Sequence, residues 1–209
     1  MDAKENIINR YEKLAEEEDN LSCGGKNIVL AELKEGENVL DLGCGRGNDI
    51  LNAAKIIGEK GIAVGLDLTK RMIEEAEKNR EKLNIKNAEF IVGDVENIPL
   101  QDGKFDVVIS DCVINHAKDK EKVYREIYRV LKDGGRFVIS DVVSIDRLPE
   151  EIVNDPDAWA DCFGGAIPEE DYIRAIKNVG FKDVQYLKRR EYKKNGYLVA
   201  SITIKGFKR

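Results

Sequence analysis

No two cysteines in this chain stand close enough to make a CxxC pair, which excludes a zinc ribbon and a thioredoxin-like motif. The four are Cys23, Cys44, Cys112 and Cys162, and each can be read as a small buried hydrophobe. No apolar run reaches the ~20 residues of a membrane span. The opening MDAKENIINRYEKLAEEEDN holds no signal-peptide core, so a cytoplasmic location without structural disulfides is expected. Nor is there an excess of positive charge. The net charge is -6, which argues against a nucleic-acid partner, since phosphate-backbone binding needs a concentrated basic face. The basic run Lys188-Arg189-Arg190 with Lys193-Lys194 is the exception, and a solvated edge strand accounts for it. Internal repeats, low-complexity segments and linkers are also missing, so the 209 residues are expected to form one domain.

What is present is an alternation of strands and helices. Short apolar runs at 38–42, 62–67, 88–92, 105–110 and 136–143 read as strands. Helical spacing recurs over 48–57, 70–83, 121–131 and 169–179, with Asp133-Gly134-Gly135 expected to stop the third of these. Two further strands fall near 183–190 and 197–205. Only a short turn at Lys194-Asn195-Gly196 separates them, so they must be antiparallel. A helix over 2–18 is expected to lie across the mouth of the sheet. The pattern predicts an α/β fold with a seven-stranded, mostly parallel sheet, an antiparallel C-terminal hairpin and helices on both faces.

The stretch VLDLGCGRGND, Val39 to Asp49, is a strand entering a glycine turn and then a helix. Gly43, Gly45 and Gly47 allow a tight turn and a close approach of backbone to a ligand. The helix start that follows offers free N–H groups. The spacing is GxGxG, not the GxGxxG of the dinucleotide fingerprint. Asp67 ends the second strand, placed to accept hydrogen bonds from a ribose diol. Together with GLDLT, GDVENIP, VISDCVIN and RVLKDGGRFVISD, this order of motifs resembles the class I S-adenosylmethionine-dependent methyltransferases, a Rossmann-like family.

The resemblance implies S-adenosylmethionine as cofactor and S-adenosylhomocysteine as product. It implies that Gly43, Gly45 and Gly47 pass under the methionine part, with Asp41 bonded to its amino end or to a water. Asp67 would hold the ribose, Leu68 and Met72 would flank the adenine, and Asp94 and Val95 would meet its edge. Cys44, inside the turn, is expected to be a bystander. The implied layout is a single methyltransferase domain over 1–209. Residues 1–36 form a helical segment and lid, 37–143 the cofactor core, and 144–209 the acceptor-side loop and hairpin.

Open α/β sheets bind ligands beyond the carboxyl ends of their strands. Cys112 follows the fourth strand there, in SDCVIN, with no Asn/Asp-Pro-Pro-aromatic motif to support nucleobase N-methylation. DCFGGA, around Cys162, follows the fifth strand, and SCGG, around Cys23, follows the first helix. This set is similar to the arsenite methyltransferases, of which the chain reads as a short form. By that resemblance Cys112, Cys162 and Cys23 hold trivalent arsenic, a soft centre suited to thiolates. A thiol reductant is the implied partner, and no resident metal is expected.

Two rivals stand beside this reading. One is C- or O-methylation of a small organic acceptor such as a quinone precursor; the other is arsenite binding without turnover. His116 is either a solvated loop residue or a base that could depress a thiol pKa. Asn115 is expected to cap a helix or line the pocket, and Trp159 with Phe163 to pack as a lid over it.

Overall fold

The computed structural model describes residues 3–15 and 26–209. Seven strands form one sheet: β1 (Val39–Leu42), β2 (Ala63–Asp67), β3 (Ala88–Val92), β4 (Phe105–Asp111), β5 (Leu131–Ser144), β6 (Lys182–Lys194) and β7 (Tyr197–Phe207). Their spatial order is β3-β2-β1-β4-β5-β7-β6. The first five run parallel, and β7 inserts antiparallel between β5 and β6. The chain builds outward from β1 to β3, then returns to lay β4 on the other side of β1. That reversal opens a crevice beyond the carboxyl ends of β1 and β4.

The parallel strands are apolar because helices cover both faces. Strand β1 is buried along its whole length. One face is closed by α2 (Asn27–Ala31), α3 (Asn48–Ile57) and α4 (Lys70–Lys82), where Ile50, Leu51, Ala54 and Ile57 make the inward stripe of α3. The other is closed by α5 (Lys120–Val130) and α8 (Glu169–Val179). Here Val123, Tyr124, Ile127 and Val130 meet Phe137, Tyr172 and Phe181. Each fully buried aliphatic side chain of these stripes contributes about 1.5–3 kcal/mol.

Helices 48–57 and 169–179 and strand 88–92 have the bounds that their periodicity predicts. The hairpin turn also matches: Asn195 and Gly196 take φ of 51° and 86°, the left-handed pair of a type I′ turn. Helix α5 differs, ending at Val130 rather than at the glycines. Leu131 already pairs with Phe105, and Asp133 to Gly135 lie within β5 at a register irregularity. The basic run lies on β6, an outermost strand of the sheet, as expected. Four short elements escape sequence periodicity: α2, a 3-10 turn at Ile114–His116, α6 (Glu150–Val153) and α7 (Pro156–Ala160). The N-terminal helix is α1 (Ala3–Leu14), and it packs against α7 and α4. No helix among the described residues is long and apolar enough to cross a membrane.

Candidate active site

The crevice holds a cavity of about 130 Å³. One end is walled by Gly43, Gly45, Asp67, Leu68, Met72 and Asp94, with Val95 beside them. Cys112, His116 and Cys162 wall the other end. Ordinary small-molecule pockets measure ~300–1,000 Å³. This one is narrowed by α1, whose Lys4, Ile7 and Tyr11 form its cover. Trp159 and Phe163, expected as the lid, are absent from the lining: Phe163 is fully buried against Tyr197, and Trp159 packs under Gly164 and Gly165.

The glycine turn is shaped by its contacts. Gly43 and Cys44 donate their amides to the Leu66 carbonyl, at 2.7 and 3.0 Å, which ties the turn to the end of β2. A Cβ on Gly43 would come within 2.1 Å of Val113, whereas one on Gly45 would meet nothing within 4 Å. Gly45 thus faces open space. Gly47 is not in the lining; its missing side chain makes room for Phe90 and Ala76. Asp41 also lies outside the lining, buried within β1. Cys44 packs against Gly65 and Phe90 as a buried bystander.

Asp67 accepts hydrogen bonds from the amides of Gly45 (2.9 Å) and Thr69 (2.8 Å). Burial pushes its pKa up against those bonds. Asp41 and Asp49 are raised as well, first by burial and then by neighbouring carboxylates, Asp111 among them. Of the carboxylates, only Asp67, Asp94 and Asp111 line the cavity, where they favour a positively charged occupant. Asp94 is held by Lys4, whose Nζ donates to it at 2.7 Å and to Glu96 at 2.6 Å.

At the acceptor end both cysteines adopt left-handed backbone, φ 57° at Cys112 and φ 53° at Cys162. Such conformations are uncommon for residues with a Cβ and cluster at functional sites. The Cys162 Sγ lies 3.3 Å from the Cys112 carbonyl oxygen, 3.1 Å from His116 Nε2 and 3.8 Å from the Tyr11 hydroxyl. Cys162 is a free thiol, and burial pushes its pKa up to about 11. Burial likewise pulls His116 down to about 4, so the ring is neutral at pH 7 and does not depress the thiol's pKa. His116 is therefore no solvated loop residue.

Cys112 is disulfide-bonded, contrary to the expectation of thiols alone. Its left-handed backbone turns it out of the sheet register at the crevice mouth, where a sulfur partner can reach it. Cys23 falls outside the described residues. Asn115 neither caps a helix nor lines the cavity. It is fully buried, donating to the Val142 carbonyl at 2.6 Å, and the cap of α5 is Asp119.

A family model described as a methyltransferase domain matches residues 33–197. A crystal structure of an arsenic(III) S-adenosylmethionine methyltransferase from Chlamydomonas reinhardtii superposes with a TM-score of 0.79 at 33% identity. The match covers 99% of this chain and 73% of that one. The chain belongs to the class I S-adenosylmethionine-dependent methyltransferases. Within them it resembles the arsenite methyltransferases. That of Halobacterium salinarum is 39% identical over 171 residues, 82% of this chain and 44% of the relative. The human one is 38% identical over 187 residues, 85% of this chain and 48% of the relative. The chain spans about half the length of the curated relatives it matches.

This family's cofactor is S-adenosylmethionine, and the crevice suits it. Gly45 leaves room for its backbone-hugging part, Leu68, Met72 and Val95 offer apolar surface to a base, and Asp67, Asp94 and Asp111 suit a molecule that carries a sulfonium and an ammonium. Bound there, it supplies an electrophilic methyl group.

Proposed function

We propose that this methyltransferase transfers a methyl group to trivalent arsenic, presented as arsenite or a thiol conjugate of it. Asp67 holds the ribose hydroxyls, Gly43 and Gly45 the methionine part, Leu68 and Met72 the adenine faces, and Asp94 with Val95 its edge. Asp41 and Gly47 act from beneath, by shaping the turn. Cys112 and Cys162 hold the arsenic, with Cys23 as third ligand. One observation carries the reading: two cysteines fifty positions apart, both in left-handed backbone, wall the same cavity as Gly45 and Asp67.

Three thiolates would satisfy a trigonal pyramid at arsenic and leave its lone pair as nucleophile. That atom carries no proton, so methyl transfer itself needs no base. The protein's contribution is alignment, which can be worth roughly 7–11 kcal/mol, together with exclusion of water by α1. A thiol reductant is the partner, because Cys112 must be released from its disulfide before it can bind arsenic.

Incubation with arsenite, S-adenosylmethionine and a thiol reductant tests the reading. Methylarsenicals are expected. No product above a heat-killed control, from protein that binds the cofactor, would sink it.

A further inference from the structure

Lys120, the first residue of α5, is buried, only 5% exposed. An ammonium withdrawn from water costs several kcal/mol unless it is well paired. Its partners are unusual. Nζ donates to the backbone carbonyls of Ala117 at 2.6 Å and Asn115 at 3.2 Å, and sits 5.2 Å from the centre of the Trp159 ring. Burial lowers its pKa, while the charges of Asp141, Glu96 and Asp119 oppose that.

These partners belong to the two cysteine-bearing turns. Ala117 and Asn115 follow Cys112. Trp159 opens the turn of Cys162, whose amide donates to the Trp159 carbonyl at 3.1 Å. The turns also meet directly: a Cβ on Gly165 would fall 1.8 Å from the Asn115 carbonyl oxygen, and the Asn115 amide reaches the Cys162 carbonyl at 3.4 Å. Two carbonyl oxygens and an indole face, all electron-rich, therefore converge on one point. Without a cation there they repel one another, which works against the direct contacts that Asn115 and Cys162 make between the turns.

We propose that Lys120 is a positioning residue that sets the spacing between Cys112 and Cys162. It does not line the cavity. The consequence for catalysis rests on the arsenic reading above; the spacing itself does not.

The test uses the full chain, reduced, and dibromobimane, a short reagent that joins two nearby thiols. Peptide mass spectrometry then reads the link between Cys112 and Cys162. In Lys120→Met the yield is expected to fall about tenfold, since a shift of about 1 Å can cost on the order of 100-fold in a geometry-dependent reaction. Arsenite affinity falls with it, and S-adenosylmethionine binding by calorimetry is unchanged. Lys120→Arg, which keeps charge and donors, restores the link.

Wild-type yield in Lys120→Met overturns the proposal. So does a Lys120→Arg variant no better than Lys120→Met, because the lysine would then be filling space. If Lys120→Met fails to fold, Trp159→Leu removes the other half of the contact, and an unchanged link there overturns the proposal equally. A wild-type protein that forms the link yet binds no arsenite defeats the acceptor reading and leaves the spacing role standing.

Discussion

The Cys162 Sγ rests 3.3 Å from the carbonyl oxygen of Cys112, so two connections from different strands meet at one thiol. If that meeting place is the arsenic site, the cysteines should separate by function. Cys162→Ser and Cys112→Ser should lose arsenite binding in calorimetry while keeping S-adenosylmethionine affinity. Cys44→Ser, which changes a packed side chain on the far wall of the glycine turn, should keep both. Retained arsenite affinity in the double variant would leave the thiol site without support.

Asp67 faces the donor end and is already bonded by two turn amides. Replacing it by Asn removes a charged acceptor, worth about 1.5–3 kcal/mol. Cofactor affinity should therefore fall about 10- to 100-fold. Arsenite binding, measured without cofactor, should not change.

The narrow cavity implies that α1 shifts outward when the donor enters, and Lys4 is one of its fastenings, beside the Arg10–Asp161 ion pair. Its pairs with Asp94 and Glu96 are partly exposed, at 33% for the lysine side chain, so they hold the helix by no more than about 1 kcal/mol. Lys4→Met should speed amide exchange in α1 and quicken cofactor association. Added salt should do the same to the wild type and less to the variant, which keeps only the Arg10–Asp161 pair. The midpoint of global unfolding should hardly move.

His116 supplies a pH dependence of stability. Its folded pKa, about 4, lies below the ordinary 6.5, so between those values the unfolded chain binds the extra proton. Stability is then full above pH 6.5 and is lost as pH falls toward 4, by about 2 kcal/mol at pH 5. The groups around the ring are Tyr11 and Arg10 from α1, Lys120 from α5, Lys194 from β6 and the Cys162 thiol. Urea midpoints at pH 7 and 5 should differ less in His116→Leu than in the wild type. An equal difference in both would assign the pH effect elsewhere.

The donor end was legible from sequence because backbone geometry dictates it. Gly43 and Gly45 stand where a turn must pass close to a ligand, and Asp67 must end a strand. Alternation likewise gave every strand its place. The acceptor end was legible only as cysteines. Helices of four and five residues, α6 and α7, are too short to show a period, so the path that brings Cys162 to Cys112 could not be traced. Lys120 stands just before the helix predicted over 121–131, and nothing local shows that an indole ring lies above it. Tyr11 and Lys4 sit on a helix expected to lie across the mouth of the sheet, as it does, but its pattern does not tell which of its side chains reach the cavity. Trp159 packs under two glycines instead of over the cavity, because tertiary contacts and not local pattern set its place.

Because β7 slots between β5 and β6, the segment 145–168 leaves the sheet and re-enters it through α8 without threading any strand of the donor half. That arrangement makes the acceptor wall exchangeable. A designer seeking a different methylated product could graft a foreign excursion between β5 and α8, provided it again seats α1 and the 115–117 turn.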